Sequence, residues 1–144
     1  TVAMLATDSE FLKHVPVTVK AVIGMAGPYD LPLDDPLVVG KFDGVERFTH
    51  EDLGHEHNQH EANPINLASA STPEVLLIHG DKDITVGPYH TERFSKRLAE
   101  LGVAHDVKTY PNVNHRHLVG GLSKIFRFLN PVYQDIQVCL SRIL

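Results

Sequence analysis

Apolar and polar positions along this chain fall into blocks that switch between strand and helix periods. Val75-Leu76-Leu77-Ile78 is an unbroken, partly β-branched apolar run, the pattern of a parallel strand buried on both faces. It stops at the turn-forming residues His79-Gly80-Asp81-Lys82-Asp83. A helical stretch follows from about Tyr89 to Gly102, then a second strand near His105–Tyr110 and the loop Pro111-Asn112-Val113-Asn114-His115. A strand–helix–strand unit of this length joins two parallel neighbours through a right-handed crossover. Val19-Lys20-Ala21-Val22-Ile23-Gly24 is a further strand, after which Gly27-Pro28 turns the chain sharply.

Helices flank these strands. Val2, Leu5, Ala6 and Leu12 give Thr1–His14 an apolar face, and Pro16 ends it. Leu118–Leu129 reads as a helix that runs through Gly120-Gly121. Asn130-Pro131 then offers an N-cap and a first-turn proline to a final helix, whose apolar stripe is Val132, Ile136, Cys139 and Ile143. Leu31 to Ser71 is irregular, with Pro32, Pro36, Pro64 and the acidic pair Asp34-Asp35. A loop this long is usually a functional excursion such as a lid, and Asn63-Pro64-Ile65-Asn66-Leu67 reads as its return to the sheet. The expected class is α/β, with three parallel strands at about 19–24, 74–79 and 105–110, flanking helices and a lid-like loop 31–71.

Composition narrows the function. At 144 residues the chain is one domain or part of a larger one, and 42% hydrophobic with 22% charged residues is ordinary for a soluble globular protein. A net charge of −5 leaves no basic stripe for a nucleic-acid backbone. No apolar run reaches the roughly 18 residues that a membrane span needs. The opening Thr-Val-Ala-Met-Leu-Ala-Thr lacks the basic region and cleavage site of a signal peptide. A single cysteine, Cys139, excludes an internal disulfide framework and fits a reducing, cytoplasmic setting; its apolar neighbours Ile136, Leu140 and Ile143 give it a packing role.

Candidate chemistry concentrates at one rim. Asp83 and His115 both lie just past the carboxyl ends of adjacent parallel strands, where open α/β sheets build their sites. A carboxylate beside an imidazole matches the orienting and base members of a hydrolytic triad. The plain alternative is a turn aspartate and a loop histidine. His117 competes as the base, and Asp81 competes as the acid or shapes the turn by bonding local amides. No Gly-x-Ser-x-Gly elbow is present, and Ser9, Ser69, Ser71, Ser95, Ser123 and Ser141 all fall in helices or loops unsuited to a serine nucleophile. The segment His50–His60 offers His50, His55, His57 and His60 with Glu51 and Glu56, a set able to bind metal but without a tight zinc spacing.

These segments carry a resemblance. His79-Gly80-Asp81-Lys82-Asp83-Ile84-Thr85-Val86, followed by Tyr110-Pro111-Asn112-Val113-Asn114-His115, resembles the acid and histidine segments of α/β-hydrolases. Gly24-Met25-Ala26-Gly27-Pro28-Tyr29-Asp30-Leu31 is similar to the Ser-Gly-x-Tyr-Asp-Leu stretch after the sixth strand of esterases in that superfamily. The nearest layouts are those of prenylcysteine methylesterases, kynurenine formamidases and bacterial carboxylesterases, where a His-Glu-His-like loop and an Asn/Ser-Pro turn also precede the acid strand. The resemblance implies a serine carboxylic-ester or formamide hydrolase with Asp83 as triad acid and His115 as base, needing no cofactor or metal. It also implies that residues 1–144 are a single partial domain, the C-terminal half of the fold. Thr1-Val2-Ala3-Met4-Leu5-Ala6 resembles the continuation of the helix that the elbow serine opens. The other half would bring the first five strands, the serine and the Gly-rich oxyanion loop. The implied partner is a small-molecule ester or amide, and a homo-oligomer is compatible with the sequence. Two other readings stand beside this one: a catalytically inactive remnant or interaction module, and a metal-binding protein acting through His50–His60.

Overall fold

The computed structural model describes residues 9–14, 16, 18–32 and 63–143. Helix α1, Ser9–His14, leads to strand β1, Ala21–Met25, and a one-turn helix α2, Pro64–Leu67, precedes strand β2, Glu74–Gly80. Helix α3, Tyr89–Glu100, crosses to strand β3, His105–Tyr110, and helices α4, His115–Gly120, and α5, Val132–Ile143, follow. The strands form a parallel sheet in the order β1-β2-β3, with Met25 opposite Ile78 and Gly80 opposite Tyr110. The three expected strands are all present, β1 one or two residues later than its apolar run suggests. Expected features at 1–8 and at 33–62, including most of the lid-like loop and all of His50–His60, lie outside the described residues.

The central strand explains the layering. Successive side chains of a strand point to opposite faces. Leu76 and Ile78 join Val113, Leu118, Val132 and Cys139 beneath α4 and α5, while Val75 and Leu77 meet Tyr29, Phe94 and Leu98 beneath α3. Leu77 and Ile78 are wholly buried, and each such side chain contributes about 1.5–3 kcal/mol. A one-residue slip of β2 would exchange the two layers, so the register is fixed. His79 continues the Val75–Leu77 row and therefore points toward α3.

Helix α3 ends by a local rule. Gly102 adopts φ +69, Val103 N–H bonds Leu98 O at 2.9 Å and Gly102 N–H bonds Ala99 O at 3.0 Å. This is a glycine-terminated cap, and its apolar contact is Val103 with Leu98 in the same core layer.

One expected element is corrected. Leu118–Leu129 is not a helix: α4 starts earlier, at His115, and stops at Gly120, and only Arg127–Leu129 returns to a short 3₁₀ turn. The physical reason is a pair of asparagines. Asn114 Oδ1 accepts the His117 N–H and opens the helix, while Asn130 Nδ2 donates to His117 O at 2.6 Å, sharing that carbonyl with the closing Gly121 N–H. Asn130 Oδ1 also accepts the Val132 N–H and so starts α5, as its sequence position predicts.

Candidate active site

Two loops leave the carboxyl edge of the sheet side by side. The loop after β2 is anchored to the loop after β3 by Asp81 N–H to Tyr110 O at 3.1 Å and Lys82 N–H to Val113 O at 3.1 Å. Asp81 Oδ1 accepts the Asn112 N–H at 2.6 Å, with Asn112 in the left-handed region at φ 61. Asp81 thus stitches the two loops together across the edge, where a local turn bond was expected. Gly80 permits this closeness, because a Cβ there would sit 2.0 Å from Val113 O.

Inside this junction Asp83 Oδ2 lies 2.7 Å from His115 Nδ1. Asp83 Oδ1 accepts the backbone N–H groups of Thr85 and Val86, both at 2.9 Å. The Asp83 side chain is 0% exposed and that of His115 is 32% exposed. Burial pushes the Asp83 carboxyl up, but the Val86 N–H, the His115 ring and the Thr85 N–H together outweigh it and hold the carboxyl below its ordinary range. An ionised carboxylate can only accept, so His115 Nδ1 carries the proton and donates it. In the neutral ring Nε2 is then bare, the state a general base requires.

Of the competing residues, His117 is exposed, and two positions along a short helix turn it away from the His115 face. Ser69 Oγ pairs with Ser71 Oγ at 2.8 Å, Ser95 Oγ with His105 Nε2 at 3.0 Å, and Ser141 Oγ with Val138 O at 2.9 Å. None of these contacts involves His115. Among the described residues no group of three or more His, Cys, Asp or Glu side chains is placed to hold a metal ion. Among them, too, no helix is long and apolar enough to cross a membrane.

The pattern of the sequence did not single out His79, Thr91 or Val86. His79 is 1% exposed; its Nδ1 lies 2.6 Å from Thr91 Oγ1 and its Nε2 2.9 Å from Val86 O. The signal was a histidine extending an apolar strand, since a buried polar side chain demands partners.

No curated protein matches the sequence. Solved structures that match include a carboxylesterase from Lactobacillus plantarum, 13% identical, with a TM-score of 0.66 over 99% of this chain and 52% of that one. An acetyl ester-xyloside bifunctional hydrolase from Caldicellulosiruptor lactoaceticus is 15% identical, with a TM-score of 0.61 over 99% and 53%. A sugar hydrolase from Lactococcus lactis is 14% identical, with a TM-score of 0.63 over 99% and 56%. The chain therefore spans about half the length of these structures, and at such identities the likeness speaks for the fold, part of an α/β-hydrolase. The family model of the prolyl oligopeptidase family matches residues 21–134, from β1 into α5 and across both loops of the site. By that match the chain belongs to the prolyl oligopeptidase family, within the α/β-hydrolases.

Proposed function

We propose that the protein is a serine hydrolase of carboxylic esters, with activated amides such as formamides as the related substrates, and that this chain carries its acid, Asp83, and its base, His115. The observation that carries the reading is the 2.7 Å contact between a buried carboxylate and the Nδ1 of a partly exposed imidazole at the carboxyl edge of the sheet.

In this mechanism His115 Nε2 removes the proton of a serine hydroxyl as its oxygen attacks the acyl carbon. The same nitrogen returns the proton to the departing alcohol or amine, and a water repeats the cycle to free the acid. Asp83 holds the productive tautomer and stabilises the imidazolium while it exists. The serine and the oxyanion donors belong, on this reading, to the part of the fold that the solved relatives have beyond this chain's span. Family membership and the esterase names among the structural matches support an acyl substrate; the lone, buried Cys139 supports a cytoplasmic setting.

The test is a substrate panel on the full-length protein: a short-chain aryl ester, an aryl formamide and a peptidyl anilide, each with and without a serine-directed phosphonate. The expected result is phosphonate-sensitive turnover, fastest on the ester. Peptidyl anilide as the preferred substrate would move the reading to a peptidase, and turnover indifferent to the phosphonate would end the serine mechanism.

A further inference from the structure

We propose that His79 is a positioning residue: it fixes the acid loop so that Asp83 presents one oxygen, Oδ2, to His115. The proposal rests on the Asp83–His115 reading and concerns how that pair is held in place.

Hydrogen-bond chemistry sets the state of the His79 ring. Val86 O can only accept, so Nε2 carries a proton and donates to it across 2.9 Å. In the neutral ring Nδ1 is then bare and accepts the Thr91 hydroxyl across 2.6 Å. Both nitrogens are thus committed in opposite senses, one to helix α3 and one to the acid loop. Val86 is held at both ends, its carbonyl by His79 and its N–H by Asp83 Oδ1. The protonated edge of the ring also lies 3.5 Å from Asp83 Oδ2, the oxygen that His115 uses.

The consequence concerns rotation. A carboxylate with two equivalent oxygens can turn about its own bond unless each oxygen has a different environment. Here Oδ1 is claimed by two backbone N–H groups, and Val86, one of the two donors, is itself fixed by His79. The Val86 N–H is also one of the groups that keep Asp83 ionised, beside the His115 ring and the Thr85 N–H. Loss of His79 frees Val86, releases one claim on Oδ1 and lets the carboxylate swing away from His115. Thr91 has no contact with Asp83 or His115 among the described hydrogen bonds, yet it anchors the arrangement through the ring.

The experiment is proton and nitrogen NMR of the histidine rings in the full-length protein, comparing wild type with His79→Leu, Thr91→Val and His79→Gln. The wild type should show an exchange-protected His115 Nδ1–H. His79→Leu keeps the volume and removes both bonds; exchange of that proton should quicken by about tenfold, the scale of one buried hydrogen bond. Thr91→Val should give a smaller change of the same sign. His79→Gln should restore protection, because an amide nitrogen and oxygen can donate to Val86 and accept from Thr91. A His115 signal unchanged in His79→Leu overturns the proposal. If that variant fails to fold, an unchanged signal in Thr91→Val does so instead. A wild type with no protected His115 Nδ1–H would remove the Asp83–His115 pairing itself, which separates the two failures.

Discussion

Single buried residues set how the fold responds to pH. Asp83 titrates below its ordinary value of 3.8, so its contribution to stability is complete above that value and is lost as the pH falls through the lowered folded one. His90 is also lowered, chiefly by burial, with Asp30 opposing and His79 and Arg93 adding to the effect. Its contribution is complete above 6.5 and falls away below it. Acidification should therefore weaken the fold in two stages, one starting near 6.5 and one below 3.8. Urea unfolding across pH should lose the first stage in His90→Gln and the second in Asp83→Asn. Tyr29 reports on the alkaline side, where burial raises its hydroxyl to about 12, outweighing the opposing effect of the Gly27 backbone. That stability is present below 10.0 and lost as the pH rises toward 12; Tyr29→Phe should flatten the alkaline limb. Asp83 and His115 were legible in the sequence because turn chemistry and strand order put them at one edge. His79 was not, since a histidine after four apolar residues reads as the end of a strand until its partners on α3 and in the loop are known.

At the scale of elements, two glycines make opposite predictions. A Cβ at Gly80 meets the backbone oxygen of Val113 at 2.0 Å, and backbone cannot give as a side-chain tip can. Gly80→Ala should force the two loops apart, break the Lys82–Val113 bond and separate Asp83 from His115. We expect near-complete loss of activity in the full-length protein with the three strands retained, read by turnover alongside hydrogen exchange. Gly102 has nothing within 4 Å of its would-be Cβ, so only its positive φ resists substitution. Gly102→Ala should cost about 1 kcal/mol in denaturant unfolding and leave the site intact. The strands and α5 were legible because apolar runs and the Asn130-Pro131 start are local signals. The false helix at Leu118–Leu129 came from reading apolar residues without the asparagines: Asn114 is a local cap that could have been read, but the Asn130 bond to His117 O spans thirteen residues.

For the whole molecule, the α/β class and the superfamily follow from the order of strands and the two loop motifs, and the family match covers both. The substrate of the proposed hydrolase is not legible in these segments, which carry its proposed acid and base. Among the described residues β1 pairs with β2 alone and forms an edge of the sheet, and Ile125, Phe126 and Phe128 are exposed. The 144-residue chain expressed by itself should self-associate in size-exclusion chromatography. A sharp monomer with protected amides from Ala21 to Met25 would show that the edge is closed.

The proposed chemistry rests on one pair of side chains, Asp83 and His115, and kcat/KM of the full-length protein on a short-chain aryl ester tests that pair most directly. His115→Ala should lower it by roughly 10⁴-fold or more, Asp83→Asn by a comparable factor through the wrong ring tautomer, and His117→Ala by no more than a few-fold. A His115→Ala protein that keeps its activity while His117→Ala loses it would contradict the assignment of the base.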